Sequence, residues 1–427
     1  MSTDIAIPFS PPDITDEEIA EVVDTLKSGW ITTGPKVKEL ERQLSAFCHT
    51  TKTACVSSAT AALECALRVL GIGPGDEVIT SAYTYTASCS VICHVGATPI
   101  LCDTAPDSFE MDYESLKGLI TPRTKAIIPV DLAGRMVDYD ALFAVAESTK
   151  ASFVPQHPRQ EALGRVAIIA DAAHALGAVR HGKHAGSVAD LTAFSFHAVK
   201  NFTTAEGGAL TWRADTFDDD ELYTEIMLWA LHGQTKDALA KTKAGAWEYD
   251  IAFPGYKCNM TDIQASLGLV QLKRYPGLLA RRRELVSEYL ANLDPKRISV
   301  YRHYENKAGA EDSLANDAYA RSLPDGYSSS GHLLICRLPG KTHVFRNALI
   351  EQMAKQGVAT NVHYKPLPLL SAYQNLGFNC KDFPHALAQF ENEITLPLHT
   401  LLTDEDVVTV CKVFNDAYSL LEEQGIA

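Results

Sequence analysis

Two stretches of the chain carry residues whose types and spacing can do chemistry together. Ile169-Ala170-Asp171-Ala172-Ala173-His174 sets a carboxylate at the end of an apolar run. About thirty residues later, Phe194-Ser195-Phe196-His197-Ala198-Val199-Lys200-Asn201 sets an amine just past another. A lysine amine can condense with an aldehyde, and a nearby carboxylate can keep a pyridine nitrogen protonated so that the ring draws electrons out of an adjacent bond. Pyridoxal phosphate chemistry requires this pair. Singly, Asp171 could cap a helix and Lys200 could be a solvated surface charge. Position shifts the balance: Leu191 to Phe196 alternates and is rich in β formers, so Lys200 falls past a strand end, where open α/β sheets place ligands.

The elements that must position these residues alternate in type. Helical spacing over 17–27 and 36–48 precedes strands at 53–56, 77–80, 99–103, 126–130, 167–171 and 189–195, with helices expected at 59–70 and 86–95. Such alternation predicts an α/β fold with a large, mostly parallel sheet covered by helices. A long helical pattern between about 256 and 293 leads to a second, smaller α/β pattern: a strand at 332–337, a helix at 344–356, an extended run at 358–364 and a last helix at 404–423. The expected division is 1–275 for the cofactor-binding domain and 276–427 for the C-terminal one, with the N-terminal segment packing on the smaller domain. Segment 301–330 reads as a long loop or insertion, and 151–165 as a longer than usual connection. Gly71-Ile-Gly-Pro-Gly75 looks like a dinucleotide fingerprint but follows a helix and precedes a strand, the wrong order for a pyrophosphate site.

A phosphate needs backbone N–H groups at a helix start and hydroxyl donors, and Ser57-Ser58-Ala59-Thr60 offers both just past the strand ending at Val56. Ser58, Ala59 and Thr60 are the candidates, with Ser195 able to add a hydroxyl. Tyr85, in the next strand-to-helix connection, is the candidate for stacking on a flat ring. His174 either bonds the ring's phenolic oxygen or faces solvent at a helix start.

Composition bounds the partners. A net charge of −15 over 427 residues argues against nucleic acid and anionic membranes. Neither a signal peptide nor a membrane span is evident, so a cytoplasmic protein is expected. Ten cysteines lack a C-x-x-C pair and mostly sit in apolar runs, as buried free thiols do. Cys89, Cys93 and His94 read as a small-residue helix face, and no metal site is expected.

Read together, Ser28-Gly-Trp-Ile-Thr-Thr-Gly-Pro35, Asp171-Ala-Ala-His174, the run from Phe194 through Lys200 to Gly208, Gly255-Tyr-Lys-Cys-Asn-Met-Thr-Asp-Ile-Gln264, Val362-His-Tyr364 and Leu396-Pro-Leu-His399 resemble the DegT/DnrJ/EryC1/StrS aminotransferases. The resemblance spans nearly the whole chain. It implies the pyridoxal phosphate fold type I, like aspartate aminotransferase, and a homodimer with shared active sites. It implies transfer of an amino group from L-glutamate to a nucleotide-linked keto sugar, a UDP- or dTDP-linked 4-keto-6-deoxyhexose aminated at C4 being favoured. It also implies that Lys257 or Asn259 reaches the partner's phosphate, in place of the family's usual Gly-Tyr-Asn-Tyr-Arg, and that Trp30, Thr32, His363 and His399 lie near the sugar. Ala59 stands where the family commonly has Gly, a change that spares the N–H donors. A C3 sugar or cyclitol aminotransferase is the alternative. A family dehydratase, in which His replaces the lysine, is opposed by Lys200, and a non-enzymatic regulator lacks any visible DNA-binding module.

Overall fold

The computed structural model describes residues 6–235, 248–305 and 326–426. In chain order the strands are β1 (Thr53–Val56), β2 (Glu77–Ser81), β3 (Thr98–Cys102), β4 (Thr124–Ile128), β5 (Ala167–Asp171), the short pair β6 (Val179–Arg180) and β7 (Lys183–His184), β8 (Leu191–Ser195), β9 (Gly208–Trp212), β10 (Ser299–Val300), β11 (Tyr304–Glu305), β12 (Tyr327–Ser328), β13 (Leu334–Arg337) and β14 (Glu393–Leu396). Seven of them form the main sheet in the order β1-β9-β8-β5-β4-β2-β3. The run from β8 to β3 is parallel, while β9 pairs antiparallel with both β8 and β1. The expected α/β architecture holds, with β9 added: a strand that opens on Gly207-Gly208 carries too weak a β signal to be read in sequence.

Burial on both faces explains why these strands read as continuous apolar runs. Ile168 and Ala170 point into one core with Leu40 and Leu44, whereas Ala167 and Ile169 point into the other with Leu63 and Leu67. The alternation is the strand's own period of two. Gly71 to Gly75 forms the turn between the helix Ala59–Val69 and β2, as its order in the sequence demands.

A third core surrounds the smaller sheet β10-β13-β14 and includes Leu285, Phe345, Phe414 and, from the N-terminal segment, Ile7. Ile7 N–H donates to Gly357 O and Ile7 O accepts from Ala359 N–H, tying that segment to the run 357–359. The helix Asp262–Asn292 connects the two sheets and contains Pro276, the residue at which we propose the division between domains. Its first turn is capped by Thr261 and Gln264, each bonded to the other's end of the turn. Asp262 in turn accepts from the N–H groups of Lys36 and Val37 and caps the helix Pro35–Cys48. The run 358–364 is extended but, among the described residues, joins no sheet and makes isolated bridges at Val358 and Asn361.

The long segment 151–165 carries the helix Pro158–Leu163. Buried Arg159 anchors it to Val69 O, Glu221 and Glu225, and Gln160 donates to Leu70 O. Of 301–330, residues 306–325 lie outside the described residues.

Strand β9 approaches the start of the helix Ala59–Val69 so closely that a Cβ on Gly208 would sit within 2.6 Å of Ala59 N and against the Ser58 backbone. Backbone cannot yield as a side-chain tip can, so Gly208→Ala should destabilise the protein by about 1–3 kcal/mol. Thermal denaturation checks this, and an unchanged melting temperature would contradict the close approach.

Candidate active site

The parallel strands end at one edge of the sheet, and there the sequence candidates meet. A cavity of about 410 Å³ is lined by Ser58, Ala59, Thr60, Tyr85, Asp171, His174, Ser195, Lys200 and His363, among others. That volume is in the range of about 300–1,000 Å³ usual for small-molecule sites.

Asp171 closes β5 and is buried. Ser88 Oγ donates to its Oδ2 at 2.7 Å and Ala173 N–H to its Oδ1 at 3.2 Å. Because Ser88 spends its hydrogen on the carboxylate, the 2.8 Å contact with Thr84 Oγ1 runs from Thr84 to Ser88. Burial raises the Asp171 carboxyl above its ordinary range, against these two hydrogen bonds and the charge of Lys200. The group is therefore a carboxylate with unusual appetite for a proton.

Lys200 lies five residues past the end of β8, where its N–H closes a turn on His197 O. No carboxylate lies within ion-pair distance of its amine among the described residues. Burial lowers the amine to about 8, with Asp171 pulling the other way. A useful fraction is thus neutral and nucleophilic near neutral pH.

His174 Nδ1 accepts from Ala133 N–H at 3.3 Å, so the ring's hydrogen is on Nε2, 3.1 Å from the Tyr364 hydroxyl. Burial, then Lys200 and His363, holds His174 well below its ordinary range and keeps it neutral. Tyr364 therefore accepts from His174 and keeps its own hydrogen to donate. Asn201, next to Lys200, donates to Ser330 O and meets His332 Nδ1 at 2.9 Å, while Ser330 Oγ donates to His174 O. The lysine turn and the Asp171 turn are both fastened to 330–332.

The phosphate candidates form a helix start: Ser58 Oγ accepts from Ala61 N–H, leaving the N–H groups of Ala59 and Thr60 without helical acceptors. Tyr85, 59% exposed as a residue, stands at the cavity wall. An uncommitted amine, a buried carboxylate, open N–H groups and a bare aromatic face are what pyridoxal phosphate would need, and the residues present fit it.

Other candidates lie outside this cavity. Trp30 Nε1 donates to Thr33 O and packs where a Cβ on Gly34 would otherwise go. Thr32 is exposed and offers its carbonyl to Asp262 N–H. His399 is buried, with Nε2 on Pro8 O. Lys257 and Asn259 bond each other, and Asn259 also donates to Thr33 Oγ1. Their segment nevertheless runs beside the phosphate turn, with Val56 bridged to Asn259 and Ser57 N–H donating to Cys258 O.

The family model for the DegT/DnrJ/EryC1/StrS aminotransferase family matches residues 12–415. The chain belongs to that family. Aminotransferases of the family use pyridoxal 5'-phosphate. The chain is 36% identical over 416 residues, 96% of both chains, to the spore coat polysaccharide biosynthesis protein SpsC of Bacillus subtilis strain 168. It superposes with a TM-score of 0.89 on the PLP-form of Spr1654 from Streptococcus pneumoniae, described as a sugar aminotransferase, at 54% identity over 97% of this chain and 99% of that one. Helicobacter pylori PseC, an aminotransferase of pseudoaminic acid biosynthesis, matches with a TM-score of 0.80 and 27% identity over 97% and 99% of the two chains. No helix among the described residues is long and apolar enough to cross a membrane.

Since Asp171 raises the Lys200 amine, its removal should lower it. Mapping acetic anhydride modification of the apoprotein by mass spectrometry should show Lys200 labelling rise with pH through about 8. The rise should move to lower pH in Asp171→Asn. An unmoved profile would contradict the coupling.

Proposed function

We propose that the chain transfers an amino group from L-glutamate to a nucleotide-linked keto sugar, with a UDP- or dTDP-linked 4-keto-6-deoxyhexose aminated at C4 as the favoured acceptor. The observation that carries this reading is the unpaired Lys200 amine in one cavity with buried Asp171. The roles of Spr1654, SpsC and PseC, all in sugar or polysaccharide chemistry, support the acceptor class.

Ser58, Ala59, Thr60 and Ser195 would hold the cofactor phosphate, Tyr85 the ring face, Asp171 the ring nitrogen and Lys200 the aldehyde carbon, with His174 acting alongside Tyr364 near the phenolic oxygen. Pyridoxal phosphate, when bound, supplies the electron sink that makes the carbon beside the transferred nitrogen acidic. Lys200 Nζ takes a proton from that carbon and returns it to the neighbouring one, reversing the direction for the keto sugar. Asp171 holds a proton on the facing nitrogen, and the Thr84–Ser88 pair keeps the carboxylate from turning away. His363 is assigned to the sugar in this cavity, and Trp30 with exposed Thr32 to the sugar of a partner subunit, while His399, buried on Pro8 O, stays out of reach of either. Lys257 or Asn259 is assigned to the phosphate of a partner subunit in a homodimer, and a cytoplasmic location completes the reading.

Protein charged with L-glutamate should aminate nucleotide-linked 4-keto-6-deoxy sugars in a panel that also contains 3-keto sugars and free keto cyclitols. Lys200→Ala should lose about 10³-fold or more of that rate. Equal or faster turnover of a free cyclitol would overturn the acceptor class.

A further inference from the structure

One fully buried carboxyl beside the cavity has no part in the chemistry above. Glu393 opens β14, and its Oε2 accepts from the backbone N–H of His363 at 2.9 Å. Its Oε1 is 2.5 Å from Thr395 Oγ1, and the same hydroxyl oxygen is 2.9 Å from His363 Nδ1. The His363 ring stacks on Phe9 at 5.5 Å and 18° and lines the cavity, and its Nε2 has no partner among the described residues.

Counting hydrogens fixes what Nε2 presents. A threonine hydroxyl carries one hydrogen, and a neutral imidazole carries one. If Oε1 is bare, Thr395 must donate to it, so Thr395 accepts from Nδ1–H and Nε2 shows the cavity a lone pair. If Oε1 bears a proton, it donates to Thr395, Thr395 donates to Nδ1, and Nε2 becomes an N–H. We propose that Glu393 and Thr395 are a positioning relay that sets whether His363 offers the cavity an N–H or a lone pair, the N–H form holding an oxygen of the amino acceptor.

Burial pushes the Glu393 carboxyl up to about 8, against the bonds from Thr395 and His363 N–H and the charge of Arg346. Below that value the N–H form prevails. Around Glu393 stand Arg346 from the helix His343–Lys355, which donates to Phe390 O and Glu393 O, Tyr83 from beyond β2, whose hydroxyl donates to His363 O, Cys336 from β13, and Tyr364. Toward the cavity, Lys200, His174 and His332 face His363. Burial and Lys200 hold His363 down at about 3, so the ring stays neutral in both states of Glu393. A neutral N–H brings no counter-charge to a carboxylate of the amino donor, so an uncharged hydroxyl or carbonyl oxygen is the group assigned to it, and a site built to bond such an oxygen discriminates strongly against analogues lacking it. This assignment of the acceptor rests on the function proposed above; the relay itself does not.

The test is nitrogen NMR of [15N]histidine-labelled holoenzyme, with His363 assigned by comparison with His363→Asn. The tautomer should change from Nε2–H at about pH 6.5 to Nδ1–H at about pH 9.5, as Glu393 loses its proton between them. In Glu393→Gln the amide oxygen takes His363 N–H and its NH2 donates to Thr395, so His363 should stay Nε2–H throughout. Thr395→Ser should keep the change and Thr395→Val should lose it. With a UDP-linked 4-keto-6-deoxy sugar as acceptor, KM should rise about tenfold above pH 8 in the native enzyme but not in Glu393→Gln, and the L-glutamate half-reaction, which follows Lys200, should have the same pH profile in both. A tautomer indifferent to pH, or one that titrates equally in Glu393→Gln, overturns the relay, and a glutamate half-reaction whose pH profile differs between the native enzyme and Glu393→Gln overturns the acceptor contact. The tautomer readout needs no substrate, so failure of the relay and failure of the proposed reaction are distinguishable.

Discussion

An ionisable carboxylate kept at a buried strand end is the constraint around which this molecule is arranged. Removing a carboxylate from water costs several kcal/mol unless hydrogen bonds and positive charge replace its hydration. Asp171 receives one bond from the Ser88 hydroxyl and one from Ala173 N–H. Bonds to a charged group contribute about 1.5–3 kcal/mol each. Lys200 supplies positive charge across the cavity without forming a contact pair. That separation matters, because a carboxylate locked to a lysine would leave neither group free. The result is a basic carboxylate and a weakened ammonium, two groups pushed toward each other's proton range by the same burial.

The sheet is what makes the arrangement possible. With β8, β5, β4, β2 and β3 parallel, their ends share one edge, so residues far apart in sequence converge there. The N-terminal segment, the turn before β13 and the run 358–364 provide the opposite wall through Phe9, His332, His363 and Tyr364. Asn201 and Ser330 tie the two walls together directly behind Lys200. The lysine is held by its neighbour in sequence, which leaves its own amine uncommitted.

Legibility in the sequence followed distance. Asp171 and Lys200 could be read because each ends an apolar run whose strand character is local, and the phosphate turn because a Ser before a helix is local too. Ser88 could not, since its partner is 83 residues away and Ala87-Ser88-Cys89 reads only as a small-residue helix face. Tyr364 was inside a motif but acquires its meaning from His174, 190 residues distant. Strand β9 is not legible because Gly208, needed for the approach to Ser58, and Gly207 before it depress the local β signal. Trp30 and His399 packed elsewhere in their own chain because turn geometry and a backbone carbonyl satisfy them there.

The most direct measurement is the visible absorbance of the purified protein with pyridoxal phosphate, before and after L-glutamate, in the native chain and in Lys200→Ala. A bound-cofactor band that depends on Lys200 and is converted by glutamate is the result expected of an aminotransferase built on Lys200 and Asp171. No band, or one indifferent to both glutamate and the substitution, would contradict that account.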